Sequence, residues 1–169
     1  MSRLRVILLL QLLFFMGWAS YLFSSRDSDS PEFYLETAPV DPRDILSGTY
    51  VALNYDISRP GIGDCSSRAA YGPVYVKLEH KGKTARTETG KVQVYEATDC
   101  RRNSPQEQGW AAGSLQYSWG GNAVKYGIEK FFLNENDPRK DLHSGTSVLA
   151  KVKIGSGRRL VLLDLVKKV

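Results

Sequence analysis

The stretch DPRDILSGTYVALNYDI at residues 41–57 gives the strongest indication of the fold. From Tyr50 onward its side chains alternate between the two faces of an extended chain. The face expected to point inward carries Val51, Leu53, Tyr55 and Ile57. An apolar repeat of two residues is typical of a half-buried β-strand, so this stretch predicts a strand that begins near Tyr50.

The same repeat recurs along the rest of the chain. It predicts six further strands, at residues 74–79, 84–88, 92–96, 115–119, 148–154 and 160–166. Turns are predicted at Gly82 and at 120–122, which are rich in glycine and asparagine. No long helical repeat follows the N-terminal segment, which argues against a doubly wound α/β fold. We therefore expect a mainly β fold: a compact antiparallel sandwich or barrel-like domain with short helical turns.

Two helical turns are predicted within this β pattern. Asp41 and Asp137 each precede a Pro-Arg pair, an order that suits a capped helix start. The second segment, DPRKDLHSGTSVLAKVKI at 137–154, aligns with 41–57 if one residue is inserted. The alignment suggests two related half-domains. The alternative is that the same capping residues stand twice before unrelated strands.

Residues 6–23 form an uncharged, largely apolar run that follows Arg3 and Arg5. A helix of this length spans roughly 27 Å, close to the ~30 Å hydrocarbon core of a bilayer, so we expect a retained anchor. The alternative is a signal peptide that is cleaved after Ala19. The two arginines place the N-terminus in the cytoplasm.

These observations predict a single-pass protein of the inner (cytoplasmic) membrane whose domain faces the periplasm or exterior. The expected organisation is a cytoplasmic tip and transmembrane anchor at 1–23, a polar stalk at 24–31 and an exported β domain at 32–169.

Composition limits the remaining classes of protein. The 169 residues, 42% hydrophobic and 24% charged, suit one folded domain and exclude wholesale disorder. After position 23 the chain has 21 basic and 18 acidic residues, a net charge of only +3, so we expect no nucleic-acid partner. His80 and His143 are isolated, and we expect no metal or cofactor. Cys65 and Cys100 would form a disulfide in an oxidising compartment, and two buried thiols are the alternative.

Two motifs carry a family resemblance. Gly48, Tyr50, Leu53 and Tyr55 occur at the spacing GxYxxLxY, and YGIEKFFLNEN follows at 126–136. Together with the N-terminal anchor, these motifs resemble the GDYXXLXY family of membrane-anchored proteins.

The resemblance implies little about chemistry. The family usually has aspartate where this chain has Thr49, whereas Glu129 and Glu135 fall on the two acidic positions of the second motif. The family is uncharacterised, and its members are often encoded beside a polytopic membrane protein. A membrane partner is therefore implied.

Several side chains are candidates for a functional site. Glu129 lies among aromatic and aliphatic neighbours in the sequence, where burial would raise its pKa and suit a general acid. The alternative is a buried glutamate that accepts hydrogen bonds from backbone amides. The binding candidates are Arg43, Tyr50, Tyr126, Glu129 and Glu135, and the weak catalytic candidates are Glu129, Asp41 and Asp44.

The leading functional hypothesis is a non-catalytic accessory or interaction subunit. It would be held in the lipid bilayer through residues 6–23 and would bind a polytopic membrane protein. One alternative is an envelope hydrolase or modifying enzyme that uses Glu129 with Asp41 or Asp44. Another is a periplasmic small-ligand-binding module, which predicts an apolar pocket with few polar groups.

Overall fold

The chain opens with a long apolar helix, α1 (Arg3–Arg26), which has no polar face. The structure, a computed structural model, describes residues 3–26, 30–40, 50–66, 71–118, 121–132, 137 and 147–169. The window Arg5–Leu22 is long and apolar enough to cross a membrane, and none of it is buried against the rest of the chain. The helix continues three residues beyond the predicted end of the anchor.

Antiparallel strands make up most of the described chain after α1, as the sequence predicted. They are β1 (Glu32–Val40), β2 (Tyr50–Tyr55), β3 (Gly72–Glu79), β4 (Thr84–Thr87), β5 (Gly90–Gln93), β6 (Glu96–Arg101), β7 (Trp110–Ser118), β8 (Gly121–Lys125), β9 (Lys130–Phe132), β10 (Val148–Ile154) and β11 (Leu160–Lys167). One sheet has the order β11-β10-β1-β2-β9, a second has the order β6-β3-β7-β8, and β4 and β5 form a hairpin. The antiparallel sheets include a half-barrel.

The main core lies between the two larger sheets. The inward face of β2 is the one predicted from the repeat, because Val51, Leu53 and Tyr55 are each no more than 4% exposed. They pack with inward side chains of both sheets, among them Val76 of β3 and Ala150 of β10. Burial of this alternating set explains why the repeat was readable in the sequence.

The β4–β5 hairpin packs on the other face of the five-stranded sheet. Ala85 and Val94 form a small buried cluster there with Leu149, and Tyr34 packs against it. The N–H of Tyr95 donates to the carbonyl of Tyr34 over 2.9 Å. The hairpin therefore covers the outer side of β1 and β10.

Two local predictions were wrong. The single strand expected at 92–96 is interrupted, because β5 ends at Gln93 and β6 begins at Glu96. Val94 instead donates its N–H to Lys83, where the chain crosses from the hairpin to the four-stranded sheet. In the turn expected at 120–122, Gly121 and Asn122 instead belong to β8, and Gly120 lies outside the described residues. The predicted helical turns at 41–48 and 138–145 lie outside the described residues.

Strands β2 and β10 come from the two segments that aligned in the sequence. Both pair antiparallel with β1, one on each side of it. Both also contribute to the main core. The duplication itself stays a prediction.

Candidate functional site

Tyr50 lies at the edge of the five-stranded sheet. It pairs with Phe132 of β9, and their ring centroids are 5.9 Å apart. The Lys130 ammonium sits 4.5 Å from the centroid of the Tyr50 ring, within cation–π range. Tyr50 is only 8% exposed, whereas Phe132 is 68% exposed. We call Tyr50, Lys130 and Phe132 the aromatic edge.

Phe132 and Lys130 were missed as candidates. The sequence feature that could have indicated them is the KFF triplet of the second motif. This triplet directly follows Glu129, but nothing in the sequence relates it to Tyr50. Only the antiparallel pairing of β2 with β9 brings the two motifs together.

Tyr126 has a structural contact. Its hydroxyl donates to the carbonyl of Ile57 over 2.9 Å, while the Tyr55 hydroxyl donates to the carbonyl of Ile128 over 2.8 Å. Burial, and secondarily the charge of Glu129, raises the pKa of both tyrosines, so both remain neutral donors. This reciprocal pair fixes the 126–129 turn against the end of β2.

Glu129 closes the same turn. Oε1 accepts the N–H of Tyr126 over 2.6 Å and Oε2 accepts the N–H of Gly127 over 2.9 Å. The Glu129 carbonyl also accepts the N–H of Leu53 over 2.8 Å. Both carboxylate oxygens of Glu129 are thus engaged by backbone amides. This geometry matches the alternative considered for Glu129, a glutamate that accepts hydrogen bonds from backbone amides.

Four candidate residues cannot be placed. Asp41, Arg43, Asp44 and Glu135 all lie outside the described residues. Among the residues that are described, no group of three or more His, Cys, Asp or Glu side chains is arranged to hold a metal ion.

Cys65 and Cys100 are joined by a disulfide, with their Cα atoms 5.8 Å apart. The bond ties the 3-10 turn Gly63–Ser66 to β6. Both cysteines are buried in the main core. The crosslink therefore lies between the β2–β3 connection and the four-stranded sheet.

A charged cluster that the sequence did not indicate lies beside the β4–β5 hairpin. Glu36 of β1 accepts from Lys83 over 2.5 Å and from Lys168 over 3.0 Å. Lys83 also reaches Glu96 over 3.4 Å, and Asp56 interacts with Glu36. We call Glu36, Asp56, Lys83, Glu96 and Lys168 the ionic cluster.

In this cluster, the pKa values of Glu36 and Asp56 are shifted in opposite directions. Burial alone would raise the pKa of Glu36, yet the hydrogen bonds and charges of Lys83 and Lys168 together outweigh it and lower that pKa. Asp56 has its pKa raised by burial first, and then by its hydrogen bond with Glu36 and the charge of that residue. The two carboxyl groups are therefore electrostatically linked.

A cavity of about 640 Å³ lies beside the first residues of β1. Its walls are Ser30, Pro31, Phe33, Leu78, Tyr95, Gln108, Gly109, Trp110, Ile154, Gly155 and Arg158. We call it the end cavity. The aromatic edge lies near the opposite end of β1, since Tyr50 precedes Ala52, which pairs with Val40.

The fold and these sites define a class of protein: an apolar N-terminal helix followed by a mainly β domain with an aromatic edge and an end cavity. The GDYXXLXY protein family model matches residues 12–165, so the chain belongs to the GDYXXLXY family. No curated protein and no solved structure matches the chain.

Proposed function

We propose that this protein is a single-pass protein of the inner (cytoplasmic) membrane whose exported β domain is a non-catalytic accessory subunit of an integral membrane protein. The observation that carries the proposal is α1, an apolar helix that the described domain does not cover. A helix that is apolar all round needs a nonpolar surrounding, which a bilayer supplies. Arg3 and Arg5 favour a cytoplasmic N-terminus.

The aromatic edge supports a protein partner. Phe132 is exposed, and Tyr50 and Lys130 hold an aromatic ring and a cation beside it. Exposed aromatic side chains of this kind are enriched where proteins bind one another. Within the described ranges no strand pairs with the outer side of β9. These features support the aromatic edge as the proposed partner surface.

Site-specific photocrosslinking tests the proposal in native membranes. A photoreactive phenylalanine analogue replaces Phe132, and the matched control places it at Glu88, an exposed residue next to β4. We expect one polytopic protein to be captured from position 132 and not from position 88. Capture of nothing from position 132, or the same products from both, would reject the aromatic edge as the partner surface.

Substitutions provide a second readout. Phe132→Ala should reduce co-purification of the captured protein, whereas Glu88→Ala should not. Because both side chains are exposed, neither change should unfold the domain. Equal recovery of the partner with both variants would contradict the assignment.

A further inference from the structure

The end cavity is suited to an amphipathic ligand. Phe33, Leu78 and Ile154 give it apolar walls, while Gln108 and Arg158 add polar groups. Its volume of about 640 Å³ lies within the range of sites that enclose small molecules.

Trp110 in the wall has an unmatched donor. The residue is fully buried, and its indole N–H has no hydrogen-bond acceptor in the described part of the chain. The Arg101 guanidinium covers the ring at 5.0 Å from its centroid. A buried N–H without an acceptor is costly.

Arg158 in the wall has an unusual backbone. Its φ is +62°, and it is the only non-glycine residue with positive φ in the described ranges. Arginine rarely adopts this conformation, and strained residues of this kind cluster at ligand sites. One guanidinium N–H donates to the carbonyl of Glu107 over 2.6 Å, which holds the cation at the cavity wall. The wall thus presents a positive charge.

Chain length places the cavity close to the anchor. Ser30 and Pro31 line the cavity, and α1 ends at Arg26, four residues before Ser30. Four extended residues span at most about 14 Å. If α1 crosses the bilayer, this wall of the cavity therefore lies next to the membrane surface.

We infer that the end cavity binds a membrane phospholipid, with an acyl chain between the apolar walls and the phosphate at Arg158. The inference rests on the membrane anchoring proposed above but not on the protein partner. The acyl chain matches the apolar walls, the phosphate matches the arginine, and the nearby bilayer is the source of the lipid.

Fluorescence quenching by brominated phospholipids tests this inference on the full chain. The protein has three tryptophans, so Trp18→Phe with Trp119→Phe leaves Trp110 as the sole emitter. The protein is reconstituted in phospholipid vesicles brominated near the methyl end of the acyl chain. These bromines lie at the bilayer centre and reach Trp110 only if the chain leaves the bilayer. We expect loss of Trp110 emission.

Two pairs of variants make the test specific. Gln108→Phe fills the cavity mouth and should restore the emission, whereas Gln106→Phe alters an exposed residue outside the cavity wall and should not. Arg158→Asn removes the charge with a residue that tolerates positive φ, and it should weaken quenching. Arg159→Asn, at the exposed neighbouring position, should leave quenching unchanged.

Flotation of the same vesicles separates the two proposals. Protein that floats without quenching, or with equal quenching in Gln108→Phe and Gln106→Phe, overturns the lipid site while anchoring stands. Protein that does not float overturns the anchoring and the lipid site with it.

Discussion

At the scale of single residues, Glu129 shows how a carboxylate can be structural in a motif that suggests chemistry. Its two oxygens accept the N–H groups of Tyr126 and Gly127, and its carbonyl accepts from Leu53. Glycine is required at 127 because φ is +83° there. The second motif therefore forms a tight turn that the side chain of Glu129 stabilises through two hydrogen bonds.

We expect Glu129→Gln to destabilise the fold by about 1–3 kcal/mol. A glutamine side chain has only one acceptor oxygen, so the N–H of either Tyr126 or Gly127 would face the NH₂ group and lose its hydrogen bond. Urea unfolding of the full-length protein measures the change. Glu88→Gln, at an exposed position, should change stability little. Equal stability of the two variants would contradict the structural role of Glu129.

Gly113 of β7 lies so close to β8 that there is no room for a side chain. A Cβ at this position would lie 2.5 Å from Val124 Cγ1 and 3.1 Å from the Lys125 carbonyl oxygen. We therefore expect Gly113→Ala to cost about 1–3 kcal/mol by overpacking. Thermal unfolding measures it, with Ser114→Ala as the neighbouring control. Unchanged stability of Gly113→Ala would show that β7 and β8 separate easily.

At the scale of elements, the ionic cluster connects the β4–β5 hairpin to β1 and to the chain end. Lys83 comes just before β4, Glu36 belongs to β1, and Lys168 follows β11. Asp56 adds a second carboxyl group beside Glu36, and its raised pKa reflects burial and that neighbour. The cluster thus contains both stabilising and destabilising charges.

The pH dependence of stability follows from these two shifts. Because the pKa of Asp56 is raised on folding, its ionised form destabilises the fold at neutral pH. This cost decreases as the pH falls through the folded-state pKa and is absent below the unfolded-state pKa. Asp56→Asn should therefore stabilise the protein at pH 7, by less than about 1 kcal/mol, because the carboxyl group is only partly buried and solvent screens its charge. Urea unfolding at several pH values measures the difference, which should vanish in acid. A constant difference would contradict the linkage.

Glu36 acts in the opposite direction. Its lowered pKa gives stability that is present above its unfolded-state pKa and is lost as the pH falls through the folded-state pKa. The stability of Glu36→Gln should therefore fall less than that of the wild type as the pH is lowered. Urea unfolding of both proteins at several pH values measures the difference.

The disulfide links two elements that are 35 residues apart. On the chain-entropy model a loop of this length contributes about 4 kcal/mol. We expect the double variant Cys65→Ser with Cys100→Ser to lose stability of that order under oxidising conditions. The reduced wild type should match the double variant, and a wild type insensitive to reductant would contradict the prediction.

The elements also show what the sequence could reveal. The β2 strand and the apolar N-terminal helix were predictable because an alternating repeat and an uncharged run are local signals. The break at Val94 was not, because its apolar character suits a strand and only the crossing between sheets interrupts the pairing. The candidate sites differ in the same way. Tyr50 and Glu129 were recognisable because each belongs to a sequence motif. The end cavity was not, because Phe33, Trp110 and Ile154 in its wall come from strands that are distant in the sequence.

At the scale of the whole molecule, we expect the β domain to be digested by protease added outside cells stripped to the inner membrane, while an N-terminal tag stays protected. The physical reason is that positive charges such as those of Arg3 and Arg5 favour the cytoplasmic side of a membrane helix. Arg3→Gln with Arg5→Gln should expose part of the tag. Digestion of the tag in the wild type would contradict the proposed orientation.

The lack of a polar stripe on α1 has a consequence for how the helix can be held in a membrane. If α1 crosses the bilayer as proposed, lipid suits every side of it equally well, so the bilayer itself favours no one face for contact with another protein. A partner that binds the aromatic edge would then decide which side of α1 faces it, and the free energy of binding must exceed the cost of the rotational freedom that is lost.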